Sequence, residues 1–142
     1  MKLTIKTTEI DNIIALRDVM QEVVDKSNPF DLEDYFNPEC GTPSCVMGYG
    51  CDAGLPGLSQ QGGAVFGGDE FCGLTYTNES GDSGEDSARW GKNRDQYYNF
   101  ESQDGGLYKH ICGLEEDAVI TAEHVVYTLN KLINDGELVI EL

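Results

Sequence analysis

Along the chain the spacing of apolar residues changes period several times, and each change predicts an element. Leu3 and Ile5 alternate with Lys2, Thr4 and Lys6, the period-two pattern of a half-buried strand over Lys2 to Thr7. Ile10, Ile13, Ile14, Leu16, Val19, Met20, Val23 and Val24 then recur at helical spacing, with Arg17, Asp18, Glu22 and Asp25 on the outer side. Thr7 or Thr8 can cap this helix, Glu9 and Asp11 suit its positive end, and it is expected to stop near Ser27, before Asn28-Pro29. The other end of the chain repeats this pattern in reverse order. Thr121 caps a second amphipathic helix with Ala122, Val125, Val126, Leu129, Leu132 and Ile133 on one face, and Asn134-Asp135-Gly136 closes it. Leu138, Ile140 and Leu142 alternate in a last strand that can pair with Leu3–Thr7.

Between these ends the periodicity is weaker. Phe30 to Phe36 mixes aromatics with acids and predicts a short helical turn packed by its rings, ended by Pro38. In Cys40-Gly41-Thr42-Pro43-Ser44-Cys45 the spacing predicts a loop turning into a short helix. Thr42 would be the N-cap and Pro43 the first helical residue, with Cys45 inside the first turn and Gly48/Gly50 as the stop. Residues 41–75 hold ten of the seventeen glycines, with Ala64-Val65-Phe66 and Phe71-Cys72-Gly73-Leu74 as apolar anchors. Leu107 to Cys112 reads as a short strand. The fold class these elements indicate is α+β: two main amphipathic helices, a small sheet pairing the terminal strands, and an irregular glycine-rich middle. At 142 residues one domain, 1–142, is expected, large enough to bury roughly two thirds of its unfolded surface.

Charge changes this picture most. Twenty-six Asp and Glu stand against nine Lys and Arg, a formal net charge of −17. Such a chain repels nucleic acid and anionic membranes and is drawn to basic surfaces, including the nucleic-acid channels of other proteins. The plainer reading is that the acid keeps a small protein in solution. Residues 76–106 concentrate the acids Glu79, Asp82, Glu85, Asp86, Asp95, Glu101 and Asp104, interrupted by Trp90, Tyr97, Tyr98 and Phe100. An acidic insertion carrying aromatics suits a binding surface, with Glu79, Asp82, Glu85, Asp86, Trp90, Asp95, Tyr97, Tyr98, Glu101 and Asp104 as its candidate contacts. The competing reading is a flexible surface loop. Asp82-Ser83-Gly84-Glu85-Asp86 lacks the glycine and glutamate spacing of a calcium loop. No Gly-Lys-Ser/Thr follows the glycines, which excludes a phosphate loop.

Five cysteines without a signal-peptide pattern indicate reduced thiols in the cytosol, and no apolar run has membrane-spanning length. Two constellations could carry chemistry. Cys45 could act as a nucleophile, activated at a helix N-terminus with His110 or His124 as base. Cys40, Cys45, His110 and Cys112 have the ligand types of a zinc site, though not the spacing of a standard knuckle. The reading preferred over both has no catalytic residue, metal or cofactor: the cysteines pack and the acidic surface acts.

The run Cys-Gly-Thr-x-x-Cys-x-x-Gly, here Cys40 to Gly48, follows the aromatic-acidic lead-in Phe30–Phe36 and precedes Cys72-Gly73-Leu74. In this the chain resembles small uncharacterised accessory proteins of tailed bacteriophages and their hosts. The matched part covers residues 30–74, and the glycine-rich, acidic middle departs from the pattern. The resemblance implies a phage accessory protein and carries over no catalytic residue. Two functions from different classes therefore stand: an acidic inhibitor occupying a basic, nucleic-acid-binding surface of a host or defence protein in the host cytoplasm, or a small enzyme or anionic small-molecule binder built on the Cys40–Cys45 turn. The first takes a basic protein as partner and does not itself bind nucleic acid or membrane.

Overall fold

The alternation at the N-terminus forms strand β1 (Lys2–Thr7), and the helical period after it forms α1 (Ile10–Asp25). In the computed structural model the described residues are 2–32, 35–36, 41–78, 83–84, 88–89, 98–99 and 106–141, with side chains described outside 78–106. Four further helices lie among them: α2 (Val46–Asp52), α3 (Gly68–Cys72), α4 (Gly106–Cys112) and α5 (Ala122–Asp135). Strands β2 (Ser59–Gln61) and β3 (Ala64–Phe66) form a hairpin. They are followed by β4 (Leu74–Asn78), β5 (Ser83–Gly84), β6 (Ala88–Arg89), β7 (Tyr98–Asn99) and β8 (Leu138–Glu141). The fold is α+β.

The main sheet has the order β5-β4-β1-β8 and is antiparallel throughout. The terminal strands pair as their alternation predicts, with Leu3 opposite Ile140 and Ile5 opposite Leu138. All four of these side chains are buried on one face, whereas Lys2, Lys6, Val139 and Glu141 are exposed on the other. A one-residue slip would turn every one of them to the wrong side, so the register follows from burial. The apolar stripes of α1 and α5 cover the buried face, contributing Ile13, Leu16, Met20, Val125, Leu129 and Leu132 to one core.

Strand β4 was not expected. Residues 76–78 belong to the sheet beside β1 rather than to an acidic insertion, with Ile5 opposite Tyr76 and Thr7 opposite Leu74. Leu74 is buried and Thr77 is exposed, the two-faced pattern of a strand with one wet side. The segment 107–112 is a helix, α4, and not a strand. Leu107 and Tyr108 are buried and Ile111 is half-buried while His110 is exposed, an i, i+1, i+4 pattern that a helix places on one face. Gly113, at φ +65°, ends it, and the Leu114 N–H donates to the Lys109 carbonyl across that glycine. This is the six-to-one bond of a glycine-terminated helix.

The ends of α1 and α5 follow simple capping chemistry. Glu9, rather than a threonine, is the N-cap of α1; its N–H donates to Thr7 Oγ1 at 2.9 Å, and Thr7 Oγ1 donates in turn to the Cys72 carbonyl at 2.6 Å. Asn12 Nδ2 donates to the Phe71 carbonyl at 3.0 Å. The carbonyl end of α3 is thereby fastened to the start of α1, which satisfies acceptors a helix end leaves open. At its other end α1 turns off through Ser27 at φ 52°, and the Asn28 N–H donates to the Val23 carbonyl. Thr121 caps α5 and Gly136, at φ 75°, closes it.

Candidate functional site

The Cys-Gly-Thr turn sits against the lead-in segment through its backbone. Ser44 N–H donates to the Tyr35 carbonyl at 3.0 Å, and the Ser44 carbonyl accepts from Asp31 N–H at 2.8 Å. Phe36 and Pro43 form an isolated bridge. The chain is therefore extended through Pro43 and Ser44, which corrects the expected cap. Cys45, at φ −107° and ψ 178°, is the N-cap; Thr42 is not, and Pro43 is not the first helical residue. The described residues of the lead-in, Phe30 to Leu32 with Tyr35 and Phe36, are likewise extended or bent and not a helical turn, although Phe30, Tyr35 and Phe36 do pack on the core.

Gly48 and Gly50 do not stop α2, which runs through both to Asp52. They serve close packing instead. A Cβ on Gly48 would fall 2.0 Å from the Tyr35 carbonyl oxygen, so only glycine lets the helix lie this near the lead-in.

This arrangement separates the residues proposed for chemistry. Cys45 is 0% exposed at the head of a seven-residue helix. His110 is exposed on α4. His124 is engaged at the start of α5, where its Nδ1 accepts from Thr121 N–H at 3.0 Å. That bond fixes the remaining ring proton on Nε2 in the neutral form. Cys112 is half-buried, its Sγ 3.8 Å from both Thr128 Oγ1 and the His124 carbonyl, and burial pushes its thiol up from the ordinary value. A raised thiol is a weaker nucleophile at neutral pH. Among the described residues no three His, Cys, Asp or Glu side chains come together to hold a metal ion, so Cys45, His110 and Cys112 do not form the proposed zinc set; Cys40 lies outside the described residues.

Where α2 meets the end of α1, a cleft of about 450 Å³ opens. Val19, Val23, Pro43 and Ala53 give it apolar walls, and Glu22, Lys26 and Asp52 line it with charge. Lys26 Nζ is 2.5 Å from Glu22 Oε1, and this hydrogen bond and charge hold the ammonium above its ordinary value. The Tyr49 hydroxyl donates to the Pro29 carbonyl, and burial, followed by the charge of Asp52, pushes its phenol up. Sequence reading missed this cleft. Its one local signal was Tyr49 three residues before Asp52, on a segment taken to end at Gly50.

Among the described residues charge is distributed over the outside. Every Asp and Glu with a described side chain is exposed or half-buried, Asp69 and Glu137 being the half-buried ones. On α1, Asp11, Asp18 and Asp25 recur every seven residues with Glu22 among them, an acidic stripe about 21 Å long at 1.5 Å per residue. Arg17 beside it is occupied, donating to Asp18 Oδ1 at 2.9 Å and to Asn130 Oδ1 of α5 at 2.6 Å. Tyr127 on α5 is 52% exposed. Of the contacts expected in 76–106, Tyr98 lies in β7, which pairs in parallel with β6. Glu79, Asp82, Glu85, Asp86, Trp90, Asp95, Tyr97, Glu101 and Asp104 lie outside the described residues. Among the described residues no helix is long and apolar enough to cross a membrane. No family model, curated protein or solved structure matches the chain.

Proposed function

We propose that this chain is an acidic interaction protein that occupies a basic, nucleic-acid-binding surface of another protein. The observation that carries this reading is a net charge of −17, together with the exposed or half-buried position of every carboxylate whose side chain is described. Exposed carboxylates attract a basic surface over about a Debye length, roughly 8 Å at physiological salt. They add more to encounter rate and selectivity than to final affinity. The α1 stripe supplies such charge on a rigid helix, and the acids and aromatics between residues 79 and 104 supply the larger share of the proposed contact. The resemblance to phage accessory proteins makes a host or defence enzyme the natural class of target, with inhibition as the outcome.

Competition tests the reading. With a basic nucleic-acid-binding enzyme captured by this protein, bound DNA or RNA should be displaced as the protein is added, while the protein itself retains no nucleic acid. Simultaneous occupancy by protein and nucleic acid would refute it.

A further inference from the structure

Resting on that reading, we infer that the cleft between the ends of α1 and α2 receives an arginine or lysine side chain of the basic partner, its aliphatic stem against Val23 and Ala53 and its cationic head at Asp52.

The charge around the cleft selects a cation. The last turns of α1 and α2 both border it, at Glu22 and Val23 on one side and Tyr49 and Asp52 on the other. The carbonyl end of a helix carries partial negative charge and ordinarily attracts Lys, Arg or His. Neither helix has a basic residue in its last turn; Asp25 and Asp52 stand there, of the sign the helix end repels. Lys26 follows the end of α1, but Glu22 already holds it at 2.5 Å. Among the described residues no cation pairs with Asp52. With Glu22 and Lys26 paired to each other, an anion would meet Asp52 and the carbonyl ends of two helices.

The walls select an amphipathic cation over a bare ion. Val19, Val23, Pro43 and Ala53 present hydrocarbon, which matches the methylene stem of a long basic side chain whose head stays wet. A volume of about 450 Å³ lies within the usual range for binding clefts, about 300–1,000 Å³. A guanidinium can bridge both oxygens of one carboxylate, so arginine should be taken in preference to lysine.

The test is a nuclear magnetic resonance titration of the labelled full chain at low salt with an eight-residue peptide containing two arginines, and with the same peptide carrying glutamine in their place. Amides of Val23, Tyr49 and Ala53 should shift with the arginine peptide and not with the control. Asp52→Asn should weaken binding by about two- to fivefold, the range for an exposed ion pair. Ala53→Leu, which fills the cleft without touching charge, should weaken it as well. Peptide binding that shifts only the Asp11–Asp18 stripe and ignores both substitutions would overturn the cleft and leave the wider reading standing. Absence of binding to the arginine peptide at low salt would count against both.

Discussion

Replacing Gly48 with alanine adds one methyl group where α2 lies against the chain at Tyr35. The added Cβ would stand 2.0 Å from the Tyr35 carbonyl oxygen and 3.0 Å from its carbon, against a practical minimum of 3.0 Å for such contacts. Something must therefore retreat by about 1 Å, and the atom in the way is backbone. That same carbonyl accepts from Ser44 N–H at 3.0 Å, so its retreat strains the hold on the turn. Overpacking of this kind costs about 1–3 kcal/mol, and losing the hydrogen bond about 1 more. Alanine regains about 0.8–1 kcal/mol over glycine inside a helix. The net expectation is a loss of about 2 kcal/mol. Gly50→Ala is the control on the same helix. Its Cβ would meet Leu58 Cδ1 at 2.9 Å and Leu16 Cδ1 at 3.2 Å, the ends of side chains that can turn aside. Helix propensity then offsets the crowding, and stability should change by under about 0.5 kcal/mol. Urea unfolding reads the difference: with a slope of about 1.5 kcal/mol/M, the Gly48→Ala midpoint should fall by about 1.3 M while Gly50→Ala barely moves. Equal midpoints for the two variants would refute the close approach of α2 to Tyr35.

Three further outcomes are expected. Ser27→Gly should raise stability by about 1 kcal/mol in the same assay, because a serine at φ 52° sits in the left-handed region that glycine adopts without penalty. His124→Ala should cost about 1 kcal/mol by leaving Thr121 N–H at the head of α5 without its acceptor, and a variant as stable as the parent would contradict that role. Alkaline pH should weaken the fold: the Cys112 thiol and Tyr49 phenol are both raised above their ordinary 9.0 and 10.0, so the folded state favours their protonated forms. That stability is complete below the ordinary values and is lost as pH climbs through the raised ones. A Cys112→Ser, Tyr49→Phe double variant should show a flatter profile of unfolding midpoint against pH in that window.

The elements legible from sequence were those whose pattern repeats over several turns or residues. Both main helices and both terminal strands carry such repeats, so their faces and pairing could be read directly. Strand β4 escaped because Thr75 and Thr77 face away from the core, and a strand with a wet side resembles polar loop when only Leu74 and Tyr76 mark its inner face. Helix α4 is too short to repeat its period, and six apolar-rich residues fit a strand or a helix equally. Gly113 directly after it was the available stop signal. The helix at the Cys-Gly-Thr turn was anticipated, but its start was displaced because Ser44 bonds to Tyr35 and Asp31, contacts no local pattern encodes. The cleft is tertiary in the same sense. It is made from the ends of two helices that lie more than twenty residues apart in the chain, α1 at Glu22 and Val23 and α2 at Tyr49 and Asp52.

The association rate with a basic nucleic-acid-binding target, followed across ionic strength, tests the central claim most directly. The rate should fall steeply from low salt to about 0.15 M, as screening shortens the reach of the exposed carboxylates. Neutralising Asp11, Asp18 and Asp25 together, or Asp82, Glu85 and Asp86 together, should lower the rate and flatten that dependence while leaving dissociation nearly unchanged. A rate indifferent to salt and to both triple substitutions would contradict the account and leave the acid as a means of staying in solution.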